Sequence, residues 1–334
     1  MQLSRSKRLT RARQQLLLLH MKSQLVLSVM LVLLVTIPSN AQVTAPQSFT
    51  YVLQADLLAR KKSAAVPKLA ASGRDWIVLD AAFTSGQPWN KEDISTIRAA
   101  KPGRKVVAYL SIGEAETYRA YWNASWDADS NGDPDAVAPS WLMGENPFWE
   151  GNYVVKYWDP GWQSLIIKSL DEILLAGFDG IYLDIVDGFQ NFEYDIETGE
   201  WRDYLINPDT GLTYRRDMVM WISRLAQYAR QKTSPAFLVI PQNGEQLLED
   251  PTHLSQISAQ GLESVFTDGN ATVPNADKNY RVSFLSKATA AAKPVLLVEY
   301  GTTAAAKKKS RAGATANKFV LLLTSYDLGK LGSQ

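Results

Sequence analysis

The chain has no cysteine and only two histidines, His20 and His253, among its 334 residues. Without cysteine there is no thiol nucleophile, no disulfide framework, no Cys-ligated zinc or iron–sulfur site and no residue to carry a lipid anchor. Two histidines cannot build a multi-His metal site. His20 lies in a segment expected to be removed, which leaves His253, in LEDPTHLSQ (248–256), as the only imidazole a Ser-His-Asp triad could use. A buried or capping role is the expectation there. No Gly-rich phosphate loop follows a strand-like run, so nucleotide binding has no motif behind it. Asp, Glu, Tyr, Lys and Arg remain as the reactive side chains.

Acidic residues are missing from the first 41 positions, where Arg5, Lys7, Arg8, Arg11, Arg13 and Lys22 flank or precede the apolar run LVLSVMLVLLVTI (25–37). Small residues follow in PSNAQ (38–42), suited to cleavage after Ala41. This is the pattern of an export signal, complete even if Met21 is the start. The run is short of the roughly 20 apolar residues of a membrane span. We therefore expect a signal peptide over 1–41, a mature domain over 42–334, a secreted or periplasmic location and no stable membrane span. Removing 1–41 takes six of the 35 basic residues and none of the 34 acidic ones, leaving a net charge of −5. An acidic mature protein is a poor match for nucleic acid. The basic run Lys307, Lys308, Lys309, Arg311 reads as the solvated face of a helix. A monomer is expected.

Nine apolar strand-like runs follow: 48–54, 75–83, 105–114, 152–159, 180–187, 237–242, 261–269, 294–301 and 319–327. Most are apolar on consecutive positions, as strands buried on both faces are. Helical segments lie between them. Asp159-Pro160 is an N-cap with proline at the first helical position, opening 160–178 and closing at Gly177; 213–231 and 278–293 are similar. Alternating strands and helices predict an α/β fold with a parallel sheet, a (β/α)8 TIM-type barrel in which one of the nine runs is accessory. A doubly wound open sheet is the runner-up. Residues 117–152, dense in Trp and Asp, form a long insertion between strands.

The strand GIYLDIVDG (180–188) runs into Asp184 and Asp187, and FLVIPQNGE (237–245) ends in Glu245. Other acids or amides near strand ends are Asp80, Glu114, Glu116, Asp159, Asn243, Glu263 and Glu299. In a barrel these ends meet on one rim. Converging carboxyls raise one another's pKa, so one can stay protonated while another stays ionised. Glycosidic cleavage needs that division. Asp159 is read as a helix cap, and Asp80, Glu114, Glu116, Asn243, Glu263 and Glu299 as candidate substrate contacts.

All 10 Trp lie beyond residue 41, and Trp122, Trp126, Trp141, Trp149, Trp158 and Trp162 fall in or beside the insertion. Sugar rings stack on exposed aromatic faces. Two or three of these six are expected to face a ligand, with Trp126 and Trp141 as candidates and Trp158 and Trp162 in the core. Asp127, Asp129, Asn131, Asp133 and Asp135 repeat the oxygen spacing of a calcium loop, but Ala138 replaces its final bidentate Glu. The segment reads either as a weak structural calcium site or as an acidic surface turn. The chemistry itself requires no cofactor.

Four motifs, YLSIGEAETYRAYW (109–122), GNYVVKYWDPGWQ (151–163), GFDGIYLDIVDGF (177–189) and IPQNGE (240–245), resemble secreted barrel proteins related to glycoside hydrolase family 114, typified by endo-α-1,4-polygalactosaminidase. The resemblance runs from about Tyr51 to Tyr326. It implies a (β/α)8 barrel with a catalytic Asp and Glu: Asp184 or Asp187 from DIVD, and Glu245 from QNGE. It also implies Tyr109 and Glu114 as pocket residues. The Trp-rich opening motif of the characterised enzymes is present only as FTYVLQ, so the chain resembles their less characterised branch. The expected activity is endo-cleavage of an amino-sugar polysaccharide, with Glu245 as general acid/base and Asp184, then Asp187, as nucleophile or stabiliser. A non-catalytic glycan-binding barrel in exopolysaccharide handling is the rival from another class.

Overall fold

The computed structural model describes residues 44–195 and 197–334, so the expected leader lies outside the described residues. Eight short parallel strands carry the fold: β1 (Phe49–Val52), β2 (Trp76–Asp80), β3 (Lys105–Ser111), β4 (Gly180–Asp184), β5 (Leu238–Pro241), β6 (Gln260–Glu263), β7 (Val295–Glu299) and β8 (Val320–Leu323). Strands β1 to β5 pair in chain order, and β6, β7 and β8 pair likewise. A helix follows each of the first seven: α1 (Lys62–Ala70), α2 (Lys91–Ala99), α3 (Pro160–Ala176), α4 (Tyr214–Lys232), α5 (Pro251–Gln256), α6 (Asn275–Ala290) and α7 (Ala304–Asn317).

Side-chain alternation shows why the sheet curls into a barrel. Trp76 and Val78 of β2, and Val107 and Tyr109 of β3, point into an inner core shared with Phe49, Tyr182, Ile240 and Val298. Their neighbours Ile77, Leu79, Val106 and Ala108 pack outward against helices. Consecutive residues are therefore buried in two different places, which accounts for the unbroken apolar runs. One seam, β5 to β6, is joined by a parallel bridge between Gln242 and Gly261. The other, β8 to β1, is filled by the C-terminal tail. Ser333 bridges antiparallel to Leu323, Thr50 Oγ1 donates to the Leu331 carbonyl at 2.9 Å, and Gln334 Nε2 donates to the Phe49 carbonyl at 3.2 Å.

The ninth run, 152–159, is the accessory one. Its strand Asn152–Val155 lies between Glu114–Glu116 and Leu142–Glu145 in an antiparallel sheet built from the insertion and its borders. Helix α3 begins as the sequence predicts: the Asp159 side chain accepts from Gly161 N, Pro160 opens the helix, and Gly177 ends it at φ 81°. Among the described residues, no helix is long and apolar enough to cross a membrane.

Candidate active site

Two acid-bearing turns leave β4 and β5 by the same device. After Asp184, Ile185 takes a left-handed conformation (φ 54°, ψ 37°), and a 3-10 turn, Val186–Phe189, carries Asp187. After β5, Asn243 (φ 56°) and Gly244 (φ 59°) are both left-handed, and a second 3-10 turn opens at Glu245. A β-branched residue is rare in that region, and such backbone strain gathers at functional sites. Gly113 leaves the room Ile185 needs, since a Cβ there would overlap the Ile185 carbonyl oxygen. The two turns also pack on each other. A Cβ at Gly244 would lie 2.9 Å from Val186 Cγ1 and 3.3 Å from the Asp187 nitrogen. Glu245 and Asp187 thus belong to one packed unit.

Asp184 and Asp187 differ in their partners. Asp184 accepts from the Tyr109 hydroxyl at 2.8 Å and from its neighbour Ile185 N at 2.9 Å. Burial, the charge of Glu263 and that of Asp187 push it up to about 8 against those two hydrogen bonds. Burial also pushes the Tyr109 hydroxyl far up, so it stays protonated and donates. Asp187 is pushed up to about 7, by burial first and then by the charges of Glu245 and Glu263, with Arg281 opposing. The strongest charge acting on Asp187 is therefore Glu245, and the strongest on Asp184 is Glu263.

Glu245 is buried and ion-paired: Arg281 Nε donates to its Oε1 at 2.5 Å. The same guanidinium donates to the Glu263 and Ser264 carbonyls at 3.0 and 3.2 Å and to Asn243 Oδ1 at 3.4 Å. Asn243 Nδ2 donates to Glu263 Oε1 at 3.2 Å, and Tyr300 donates to Glu263 Oε2 at 2.7 Å. Across the mouth, Arg119 forks onto Asp80 at 2.9 and 2.8 Å and donates to Glu116 at 2.6 Å. Glu116 also accepts from Tyr118, and from Tyr109 at 3.3 Å. Glu114, raised by burial, accepts from Asn146 at 2.7 Å and Asn152 at 3.2 Å.

All of these acids line an open cleft of about 2340 Å³ at the C-terminal ends of the strands, together with Tyr109, Asn243, Arg281 and Tyr300. Three expected contacts do not reach it. Glu299 is fully buried and accepts from the backbone of Val265, Phe266 and Thr267 and from the Thr267 and Ser310 hydroxyls, so it ties down the loop after β6. Trp126 and Trp141 meet edge to face and pack against Trp122 and Trp162, within the insertion and at its border with α3. Of the six tryptophans in or beside the insertion, Trp149 alone lines the cleft. Trp201, from the loop after β4, joins it.

The calcium spacing folds as a hydrogen-bonded turn instead. Asp127 accepts from Asn131 N, Gly132 N and the Tyr153 hydroxyl, Asp129 from Asn131 Nδ2, Asp133 N donates to Asn131 Oδ1, and Asp135 accepts from Ala128 N. No group of three or more His, Asp or Glu side chains among the described residues converges as a cation requires. His253 is fully buried in α5 and does not line the cleft.

Sequence reading missed Arg281 and Trp201. Arg281 comes from helix α6 rather than a strand end, and Trp201 sits in a loop with no periodic pattern.

The chain matches the glycoside-hydrolase family GH114 over residues 35–334. An uncharacterized protein of Deinococcus radiodurans is 33% identical over 256 residues, 76% of this chain and 74% of the relative. One from Methanocaldococcus jannaschii is 37% identical over 244 residues, 72% of this chain and 64% of the relative. Among solved structures, the glycoside hydrolase domain of PelA from Pseudomonas aeruginosa superposes with a TM-score of 0.56 at 23% identity, covering 86% of this chain and 98% of that one. Aspergillus fumigatus Ega3, solved in complex with galactosamine, gives 0.60 at 18%, covering 88% and 96%. Both likenesses concern the fold. With the family matched over nearly its whole length, the chain belongs to glycoside-hydrolase family GH114.

Proposed function

We propose that this chain is an exported glycoside hydrolase that cleaves an amino-sugar-containing polysaccharide within the polymer, using Asp187 and Glu245 as its carboxyl pair. The observation that carries the reading is the packing of the two acid-bearing turns, Gly244 against Val186 and the Asp187 nitrogen. Family membership supports glycosidic cleavage. The galactosamine-bound structure of Ega3 supports an amino sugar, the open cleft supports binding within a long chain, and the basic-apolar leader supports export.

In the free protein Asp187, held up to about 7, is partly protonated near neutral pH, while Glu245 is ion-paired with Arg281. A glycosidic oxygen lying between them receives a proton as its bond to the anomeric carbon breaks. The ionised partner faces the positive charge that develops on the sugar ring, or directs water onto it. Tyr109 holds Asp184 in place beside the pair, and Arg281 is itself held by three further acceptors, the Glu263 and Ser264 carbonyls and Asn243 Oδ1. Asp80, Glu114, Glu116, Asn243 and Glu263 form the polar wall around the sugar.

The test is release of new reducing ends from a galactosamine-rich exopolysaccharide by wild type and E245Q. Release by wild type and its loss in E245Q support the reading. Equal signals from the two overturn it and leave a barrel that binds glycan without cutting it.

A further inference from the structure

Two adjacent loops, those after β3 and β4, each end in a hairpin whose exposed tryptophan lines the cleft. In the first, Trp149 sits at the turn between Leu142–Glu145 and Asn152–Val155 and is 64% exposed. In the second, Trp201 ends the small hairpin Tyr194–Asp195 and Glu200–Trp201 and is 57% exposed. Leaving large aromatic surfaces in water is unfavourable, and exposed aromatics on the wall of a cleft mark a binding surface.

The first hairpin is held by a buried glutamate, and a second buried glutamate precedes the other hairpin and anchors the segment that follows it; the bond-breaking chemistry uses neither. Glu114 accepts from Asn146 at 2.7 Å and from Asn152 at 3.2 Å, so one carboxylate grips both ends of the Trp149 turn. Within that turn Phe148 N donates to Asn146 Oδ1 at 2.9 Å and Gly151 N to Glu145 Oε1 at 2.5 Å. Glu193 precedes the second hairpin. It accepts from Tyr204 N at 2.9 Å and from Arg215 at 2.8 Å, while its own carbonyl accepts from Arg202 N at 2.7 Å. Arg215 then crosses the Tyr204 ring at 4.5 Å, and one side of Trp201 rests on Tyr194 at 4.9 Å.

We infer that Trp149 and Trp201 are fixed stacking platforms for sugar units of the polymer beyond the scissile bond, set in place by Glu114 and Glu193. The occupant is a glycan chain, because both rings continue the wall of the cleft that holds the acids; this rests on the glycoside-hydrolase reading above. A stacked ring face adds affinity only when a sugar reaches it, and a platform already ordered costs little further entropy on binding. Chain-length preference would then reside in these two residues rather than at the carboxyls.

The test measures retention of the protein in gels containing galactosamine-rich polysaccharide, in an E245Q background, together with turnover of polymer and of a short aryl glycoside in the active background. Removing either indole with W149A or W201A is expected to weaken retention on the order of tenfold. It should also lower polymer turnover more than aryl-glycoside turnover. W149F and W201F, which keep a ring, should recover part of the loss. F148A alters a neighbour that is 87% exposed and does not line the cleft, and should match its parent. Unchanged retention in the alanine variants, equal losses on both substrates, or no retention of the E245Q parent would each overturn the inference. Retention is read without catalysis, so a failure of the hydrolase reading appears separately, as absent turnover in the wild type.

Discussion

Arg281, on helix α6, donates to Glu245 Oε1 at 2.5 Å while holding the carbonyls of Glu263 and Ser264 and the side chain of Asn243. One guanidinium therefore ties the turn after β5 to the end of β6. The direction of the Glu245 carboxylate depends on a residue outside any acid-bearing motif. R281Q is expected to lower kcat by about 100-fold, within the range for losing acid–base assistance, with KM little changed. Added guanidinium should restore part of the rate in R281A, and R281K should fall between. A purely structural role would show no rescue and would be seen as a lower melting temperature.

The two raised aspartates make stability depend on pH. A carboxyl whose folded-state pKa lies above its unfolded value of about 3.9 binds more protons folded than unfolded between those values, so stability falls as pH rises through that window. For Asp187, pushed to about 7, and Asp184, pushed to about 8, the loss begins above about pH 4 and is complete near pH 8. D187N removes the charge. It should melt roughly 5 °C above wild type at pH 8, with the gap closed at pH 4. Thermal scans across that range measure it; a gap independent of pH contradicts it.

The same protonation sets a limit on activity. With Asp187 required as an acid, kcat/KM for the polymer should fall as pH rises above about 7, roughly tenfold per unit once the group is ionised. A profile flat to pH 9 would remove Asp187 from that role.

Glu299 is a structural carboxylate, set apart from the acids that line the cleft. E299A strands three backbone N–H groups and two hydroxyls in the interior. Each buried donor left unpaired costs about 1–3 kcal/mol, so a loss of at least roughly 3 kcal/mol is expected in urea unfolding. Activity per folded molecule should persist.

Gly113 controls the turn between Asp184 and Asp187. In G113A the new methyl meets the Ile185 carbonyl, and the displaced turn should cost on the order of 100-fold in kcat, since an error of about 1 Å in placement has that effect. Wild-type turnover by a well-folded G113A would show that the left-handed Ile185 is incidental.

Much of this was legible in the chain. Strands buried on both faces read as apolar runs, and Asp159-Pro160 with Gly177 marked the two ends of a helix. The acids of the cleft were legible because barrel strand ends meet. Glu299 has the same strand-end pattern as Glu263, yet it turns inward, and only the distant Thr267 and Ser310 reveal it. Trp141 and Trp149 look alike in sequence, but one is 5% exposed and the other 64%. That contrast depends on the antiparallel sheet of the insertion, which strand-by-strand reading does not assemble. The proposal of Asp187 over Asp184 rests on the contact of Gly244 with the Asp187 turn, a relation between loops 57 positions apart in sequence.

The central claim is that Asp187 and Glu245 act as the pair. Its most direct measurement is the rate of reducing-end release from galactosamine-rich polysaccharide by D187N and D184N side by side, each checked for folding. The account predicts that D187N loses about 1,000-fold or more, as removal of a general acid does, and that D184N, which changes a carboxyl fixed by Tyr109, loses less. A D187N protein that releases reducing ends at the wild-type rate would contradict it.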